Sequence, residues 1–171
     1  INPSDEIALT RALELKESLG GTVSVITVGQ ANTEPNLRKA LAIGADDAIR
    51  VNAEPTDAYF VAFQIAEVVK KNPYDIILTG KESIDYNGGQ IPMMLGEFLG
   101  IPSVLVATKL DLNGNVATLE REIDGGKEVI EAKLPFVAGA QNGMAEPGIP
   151  NMRGIMTART KPLAVVEPAA C

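Results

Sequence analysis

The first hundred residues alternate short apolar runs with segments that carry helix signals, and this alternation restricts the fold more than any other feature. The apolar runs lie at 22–28, 47–51 and 75–79, and their valines and isoleucines are typical of strands buried on both faces. Helices are predicted between and around these runs, at 2–19, 35–43, 56–71 and 90–99. Strands that alternate with helices predict an α/β fold with a doubly wound, mainly parallel sheet.

The chain opens on a helix start rather than on a strand. Asn2 is a typical N-cap, Pro3 suits the first turn, and Gly20 and Gly21 end the helix. A doubly wound domain normally begins with a central strand. We therefore expect a strand and a loop to precede this helix in the complete fold.

A second kind of pattern starts at about residue 103. Turn sequences at Asn113-Gly114 and Asp124-Gly125-Gly126 separate strand-like runs and predict antiparallel hairpins over 103–142. The segment 143–160 is rich in Gly, Pro and Met and is predicted to form an exposed loop that leads into a short helix. The 171 residues are expected to form one domain.

Composition excludes several classes of function. The net charge of −7 and the lack of a Lys and Arg cluster argue against a nucleic-acid partner. The chain has no histidine, so it can form neither a Ser-His-Asp triad nor a histidine-ligated metal site. Cys171 is the only cysteine, which excludes an internal disulfide. No apolar run approaches about 18 residues, and no signal-peptide pattern is present.

The segment 75–91 has the layout of a nucleotide site. A predicted buried strand ends at Gly80, and a polar loop with paired glycines leads to a helix that starts near Gln90. Such a loop lets a ligand approach the backbone, and the helix start favours an anion. The loop is not a P-loop, because Glu82 stands where Ser or Thr would ligate magnesium, and no G-x-G-x-x-G fingerprint occurs. A loop that only turns the chain is equally compatible with the local pattern.

Six segments resemble the β subunits of electron-transfer flavoproteins, in that family's order and spacing. They lie at 2–9, 22–29, 40–46, 80–85, 120–126 and 155–163, and they include ALAIGAD, GKESID, EREIDGG and IMTARTKPL. The resemblance covers nearly the whole chain. It implies a fragment that lacks the family's first strand and its C-terminal arm.

The resemblance implies an electron carrier subunit rather than an enzyme. In that family the β subunit forms a heterodimer with an α subunit, whose FAD carries electrons from acyl-CoA-type dehydrogenases of fatty-acid oxidation to a quinone oxidoreductase. The β subunit buries AMP as a structural nucleotide. Bifurcating or nitrogen-fixation-type members instead bind a second FAD there and use NADH. A bacterial cytoplasm is favoured over the mitochondrial matrix.

The family's nucleotide contacts map onto residues of the first helix start, the end of the first strand and the loop described above. They are Asn2, Pro3, Ser4, Asp5, Val28, Gly80, Lys81, Glu82, Ser83, Ile84, Asp85, Tyr86, Asn87, Gly88, Gly89, Gln90 and Ile91. Partner contacts map onto Arg121 and Glu122 in the hairpin, and onto Glu146, Pro147 and Met152 in the loop that recognises dehydrogenases.

Ordinary roles compete with these assignments. Asn2 is also an ordinary N-cap, and Arg121 and Glu122 are also ordinary exposed hairpin charges. The segment 145–148 reads Ala-Glu-Pro-Gly where ordinary members read Asn-Glu-Pro-Arg, and 85–89 matches neither the AMP-binding nor the bifurcating pattern. AMP or FAD, and the dehydrogenase partner, therefore stay open. A free-standing adenine-nucleotide-binding protein of the universal-stress type shares the fold, but it needs neither the EREIDGG hairpin nor the Met-rich loop.

Overall fold

The computed structural model describes residues 3–80, 90–140 and 160–169, except the side chains of 3–6, 105 and 106. The helices are α1 (Pro3–Leu19), α2 (Glu34–Ile43), α3 (Ala58–Lys71) and α4 (Gln90–Leu99), with a 3-10 turn at Ala31–Thr33. The strands are β1 (Ser24–Gly29), β2 (Asp47–Asn52), β3 (Ile76–Thr79), β4 (Ser103–Asn113), β5 (Val116–Ile123), β6 (Gly126–Lys133), β7 (Phe136–Ala140) and β8 (Leu163–Val166).

Local sequence determines where the helices start and stop. The Asp57 side chain accepts a hydrogen bond from the Phe60 N–H at 2.8 Å and so caps α3, as its position before the apolar run predicts. Gly20 follows α1 with φ of +81°, a left-handed conformation that ends a helix without steric cost to glycine. Its N–H donates to the Lys16 carbonyl, which satisfies one free carbonyl of the last turn.

The described strands form two sheets. In the first, β2 lies between β1 and β8 and is parallel to both. In the second, the order is β3-β7-β4-β5-β6, with β7 parallel to β3 and β4. The strands β4, β5 and β6 are antiparallel, through turns in which Gly114 and Gly125 have φ of +65° and +83°. The predicted mainly parallel α/β fold with an antiparallel extension is confirmed.

The helices cover both faces of the sheets, as a doubly wound fold requires. Along β7, Phe136 and Ala138 pack in a cluster with α1, whereas Val137 packs in a cluster with α3 and α4. The same alternation occurs in β3, where Leu78 faces the α1 side and Ile77 faces the α3 side. Because neighbouring residues of a strand point to opposite faces, α1 lies on one face and α3 and α4 lie on the other.

Asp46 joins the end of α1 to the start of β1. Its carboxylate accepts hydrogen bonds from Lys16 Nζ and from the Val23 N–H, both at 2.7 Å. Burial acts to raise the pKa of Asp46, but these two hydrogen bonds and the charges of Lys16 and Lys161 outweigh it and lower the pKa below its ordinary value. The carboxylate therefore holds the amino edge of the sheet, away from the strand ends where a ligand is expected.

Candidate nucleotide site

The carboxyl ends of the parallel strands meet at one edge of the fold. Residues 53–57 connect β2 to α3, and residues 72–75 connect α3 to β3. Because both connections are short, α3 runs antiparallel to both strands, and β3 is parallel to β2. Gly29, Asn52 and Thr79, the last residues of β1, β2 and β3, therefore lie at the same edge. Ligands of doubly wound domains bind beyond this edge.

Two helices begin at this edge on either side of the β3 end. Only residues 20–23 connect α1 to β1, so the first turn of α1 lies toward the carboxyl ends of the strands. The packing agrees, because Ile7 and Ala8 contact the cluster that contains Ala140 at the end of β7. The helix α4 starts at Gln90. Free N–H groups at helix starts attract anions such as phosphate.

Thr79, the last residue of β3, has a buried hydroxyl group. Its Oγ1 is buried and has no hydrogen-bond partner in the part of the chain that the structure describes. A buried hydroxyl without a partner costs about 1 to 3 kcal/mol, so such groups usually meet a ligand, a water or another segment. The next residue, Gly80, opens the loop predicted to hold the nucleotide.

Arg50 braces the ends of β1 and β2. Its Nε donates to Glu34 Oε2 at 3.0 Å, and its Nη1 donates to the Gly29 carbonyl at 3.1 Å and to Asn52 Oδ1 at 2.8 Å. The Arg50 side chain is 7% exposed. Glu34 lies in the first turn of α2, so one guanidinium ties together the ends of two strands and the start of a helix. This network links the carboxyl ends of β1 and β2 to the start of α2.

The comparisons with known proteins identify the family of the chain. Residues 1–170 match the electron transfer flavoprotein domain family. The chain belongs to this family. It is 41% identical to the electron transfer flavoprotein subunit beta of Bacillus subtilis, over 98% of the chain and 66% of that protein.

Other β subunits of the family show the same relation to the chain. Identity is 39% to the subunit of Syntrophomonas wolfei, over 99% of the chain and 68% of that protein. Identity is 36% to the human subunit, over 98% of the chain and 68% of that protein. The chain therefore spans about two thirds of the length of these electron transfer flavoprotein subunits, and its resemblance to the family is confirmed.

The described part of the site contains some of the residues that the family resemblance assigned to nucleotide binding. Val28 is buried beside Gly29 at the end of β1, Gly80 follows β3, and Gln90 and Ile91 form the start of α4. Pro3, Ser4 and Asp5 form the first turn of α1, and their side chains lie outside the description. The remaining assigned residues lie outside the described ranges: Asn2, Lys81, Glu82, Ser83, Ile84, Asp85, Tyr86, Asn87, Gly88 and Gly89.

Two of the predicted partner residues lie within the described ranges, and three lie outside them. Arg121 and Glu122 lie on β5, where Arg121 Nε donates to Glu128 Oε2 at 3.0 Å across the hairpin. The Glu122 side chain is exposed on the opposite face of the strand. Glu146, Pro147 and Met152 lie outside the described residues.

Sequence reasoning missed Arg50, Glu34 and Thr79. A signal for Arg50 was present, because a lone arginine within the apolar run Asp47–Asn52 has to find buried partners. No local signal singled out Glu34 or Thr79.

The described residues show neither a metal centre nor a membrane span. Within 3–80, 90–140 and 160–169, no three or more His, Cys, Asp or Glu side chains group so that they could hold a metal ion. No helix in those ranges has the length and apolar character needed to cross a bilayer.

Proposed function

We propose that this chain buries AMP at the carboxyl edge of its sheet and positions the FAD domain of an α subunit. That FAD carries electrons from acyl-CoA-type dehydrogenases to the quinone pool. The observation that carries the proposal is the arrangement around Thr79 at one edge of the sheet. There, a buried hydroxyl that has no partner among the described residues lies with the end of β1 and the starts of α1 and α4. The relatives' name, subunit beta, supports an α partner.

The residues at this edge fit an adenine nucleotide. The helix starts of α1 and α4 suit the phosphate group, and the Thr79 hydroxyl suits a sugar or phosphate oxygen. The loop after Gly80 adds Lys81, Ser83, Asp85 and Asn87 in the sequence, which supply both donors and acceptors. The Arg50 network joins the end of β1 to β2 and α2, so contacts that do not involve the nucleotide hold this wall of the proposed pocket.

The role of the chain is to bind and orient rather than to react. FAD supplies the redox chemistry when it is bound, and the α subunit mainly holds it. The chain uses its nucleotide as a structural element and presents docking surfaces to a carrier domain that moves between donor and acceptor. The loop with Glu146, Pro147 and Met152 recognises the dehydrogenase, and the bacterial cytoplasm is the favoured compartment.

The β5–β6 hairpin presents the docking surface for the FAD domain. Arg121 is engaged by Glu128, whereas Glu122 is exposed beside its cross-strand neighbour Lys127. An exposed ion pair from Glu122 to a basic residue of the moving domain is worth about 0.2 to 1 kcal/mol. Such a pair biases a domain equilibrium without locking it.

The nucleotide content of the heterodimer tests the proposed function. We expect the full-length protein, purified with its α subunit, to release one AMP and one FAD per heterodimer on denaturation. The nucleotides are identified by mass spectrometry after separation from the protein. Two FAD and no AMP would contradict the structural-nucleotide proposal and would identify a bifurcating-type subunit that uses NADH.

Removing the Glu122 carboxylate is expected to shift the position of the FAD domain. In the Glu122→Ala heterodimer, the distance distribution between labels on the hairpin and on the FAD domain should change at low salt, where exposed pairs are strongest. Glu131→Ala is the matched control, because Glu131 is exposed on the same face of the hairpin, farther from the turn. Equal distributions for the Glu122 variant and the unsubstituted protein would return Glu122 to an ordinary hairpin charge.

A further inference from the structure

The strand β4 changes its neighbours along its length. Up to Ala107 it pairs with β7, and from Ala107 onward it pairs with β5. The register shifts against both neighbours beside Ala107, so the strand is irregular at this point. Beyond it, residues 108–113 have no neighbouring strand on the β7 side within the described ranges. These residues, β5 and β6 form an antiparallel arm that extends past the end of β7.

Arg11 of α1 bonds to the main chain of this arm. Its Nη2 donates a hydrogen bond to the Leu110 carbonyl and lies 3.7 Å from Asp111 Oδ1. Its Nη1 lies 3.6 Å from Oε1 of Glu14, which is also in α1. The Arg11 side chain is 18% exposed, so water competes only in part for the guanidinium. Because the acceptor is a main-chain carbonyl, the bond holds the strand itself rather than a side chain that can change its rotamer.

Arg11 lies on the face of α1 that packs against the sheet. Spacings of three and four residues place it on the same helix face as Ile7, Ala8 and Leu15. The side chains of these three residues belong to, or pack against, the buried cluster that contains Leu110. A cation on such a face needs polar partners close by. Leu110 therefore contributes twice, since its side chain joins the cluster and its carbonyl accepts the hydrogen bond from Arg11.

We propose that Arg11 is a positioning residue, which sets the orientation of the antiparallel arm relative to α1 through its bond to the Leu110 carbonyl. The apolar cluster holds the root of the arm, but apolar contacts are non-directional. A hydrogen bond from a charged donor has a preferred distance and direction, so it selects one orientation. Two further ion pairs, Lys109 with Glu120 and Arg121 with Glu128, join strands within the arm and leave its orientation to Arg11.

The orientation of the arm affects the FAD domain, and this consequence rests on the proposed function. Glu122, the proposed docking residue, lies on β5 and therefore moves with the arm. The first turn of α1 belongs to the candidate nucleotide site, so Arg11 fixes the docking surface relative to that site. Arg11 acts on electron transfer through the arm rather than through the flavin.

A distance measurement in the heterodimer tests the proposal. A ketone-bearing amino acid replaces Lys127 in the arm and Lys71 at the end of α3, two exposed positions, and each takes a spin label. Arg11→Met keeps an apolar stem and removes every donor. We expect this variant to shift and broaden the distribution of distances between the two labels, because the arm loses its directional bond to α1.

Two further variants are the controls. Arg38→Met removes an arginine of α2 that donates to the Lys161 carbonyl at 2.8 Å, a bond of the same kind outside the arm. Asp111→Asn removes the charge of a side chain that is 66% exposed and leaves the bond to the Leu110 carbonyl in place. We expect the label distance of the unsubstituted protein in both controls, since exposed ion pairs contribute little.

A second pair of labels, on the arm and on the FAD domain, separates the positioning role from the proposed function. Changes of both distances in Arg11→Met would support both claims. A changed distance between arm and α3 with an unchanged distance to the FAD domain would support the role of Arg11 and contradict docking of the FAD domain on the hairpin.

Arg11→Gln covers the case in which the methionine variant does not assemble. Glutamine is polar but shorter and uncharged, so it should not reach the Leu110 carbonyl, and the same shift is expected. An unchanged distance between arm and α3 in the Arg11 variants would overturn the proposal. A shift of equal size in Arg38→Met would also overturn it, because the effect would then be general. So would an equal shift in Asp111→Asn, which would assign the orientation to the exposed ion pair.

Discussion

Replacement of Arg50 by methionine is expected to lower the free energy of unfolding by about 2 to 4 kcal/mol. Loss of one partner from a buried ion pair costs about 3 to 5 kcal/mol, because the other charge stays buried without compensation. Here Glu34 is 38% exposed, so water partly solvates its carboxylate after the substitution and reduces the loss. The Gly29 carbonyl and Asn52 Oδ1 each lose a hydrogen bond from a charged donor. Urea unfolding of the two proteins measures the difference.

Arg121→Met is the matched control for this experiment. Arg121 pairs with Glu128 through the same atoms and at the same 3.0 Å distance as the Arg50 and Glu34 pair. Its side chain is 34% exposed, and exposed pairs contribute about 0 to 1 kcal/mol. Equal losses in the two variants would contradict the role of Arg50 as a buried brace of β1 and β2.

Phe136→Ala is expected to destabilise the fold by about 3 to 5 kcal/mol. Phe136 has no exposed surface and packs on the α1 side of β7, the strand that lies between β3 and β4. Truncation removes a large buried apolar group and leaves a cavity that the surrounding strands fill only in part. Because β7 joins the parallel strand β3 to the antiparallel arm, both regions should lose stability together.

Hydrogen exchange of α3 and of the β5–β6 hairpin distinguishes this result from a local effect. We expect amides in both elements to exchange faster in Phe136→Ala by a similar factor. Phe136→Leu retains most of the buried volume and should cost less than half as much. Faster exchange in the hairpin alone would show that the antiparallel arm has a core of its own and would contradict the shared core.

Elements with strong local signals were predictable from the sequence. The Asp57 cap and the following apolar run define α3, and glycines in the left-handed conformation define both hairpin turns. In each case the determining contact spans only a few residues. Residue types at a fixed spacing determine such contacts, so they can be predicted from the sequence alone.

The positions of β7 and β8 were not predictable in this way. The segment predicted to hold hairpins, 103–142, ends in Phe136–Ala140, which instead lies between β3 and β4 and parallel to both. β8 pairs with β2, more than a hundred residues earlier in the chain. Strand order depends on packing between distant segments, which periodicity and turn residues do not encode.

The candidate site shows the same division. The end of β3 and the start of α4 were predicted from the sequence, because a buried apolar run that stops before a Gly and a later helix start are local signals. The loop predicted between them stays a prediction, since residues 81–89 lie outside the described ranges. The Arg50 network joins residues from β1, α2 and β2, and the burial of the Thr79 hydroxyl depends on segments that are distant in sequence. These features exist only after the chain has folded.

Photolabelling locates the proposed nucleotide site most directly. The heterodimer is irradiated with 8-azido-AMP, and the labelled peptides are mapped by mass spectrometry with and without excess AMP. The proposed site predicts label, suppressed by AMP, in peptides that cover 76–95 at the β3–α4 connection or 24–33 at the end of β1. Label confined to the β4–β6 hairpins, or label that AMP does not suppress, would contradict a nucleotide at the carboxyl edge of the sheet.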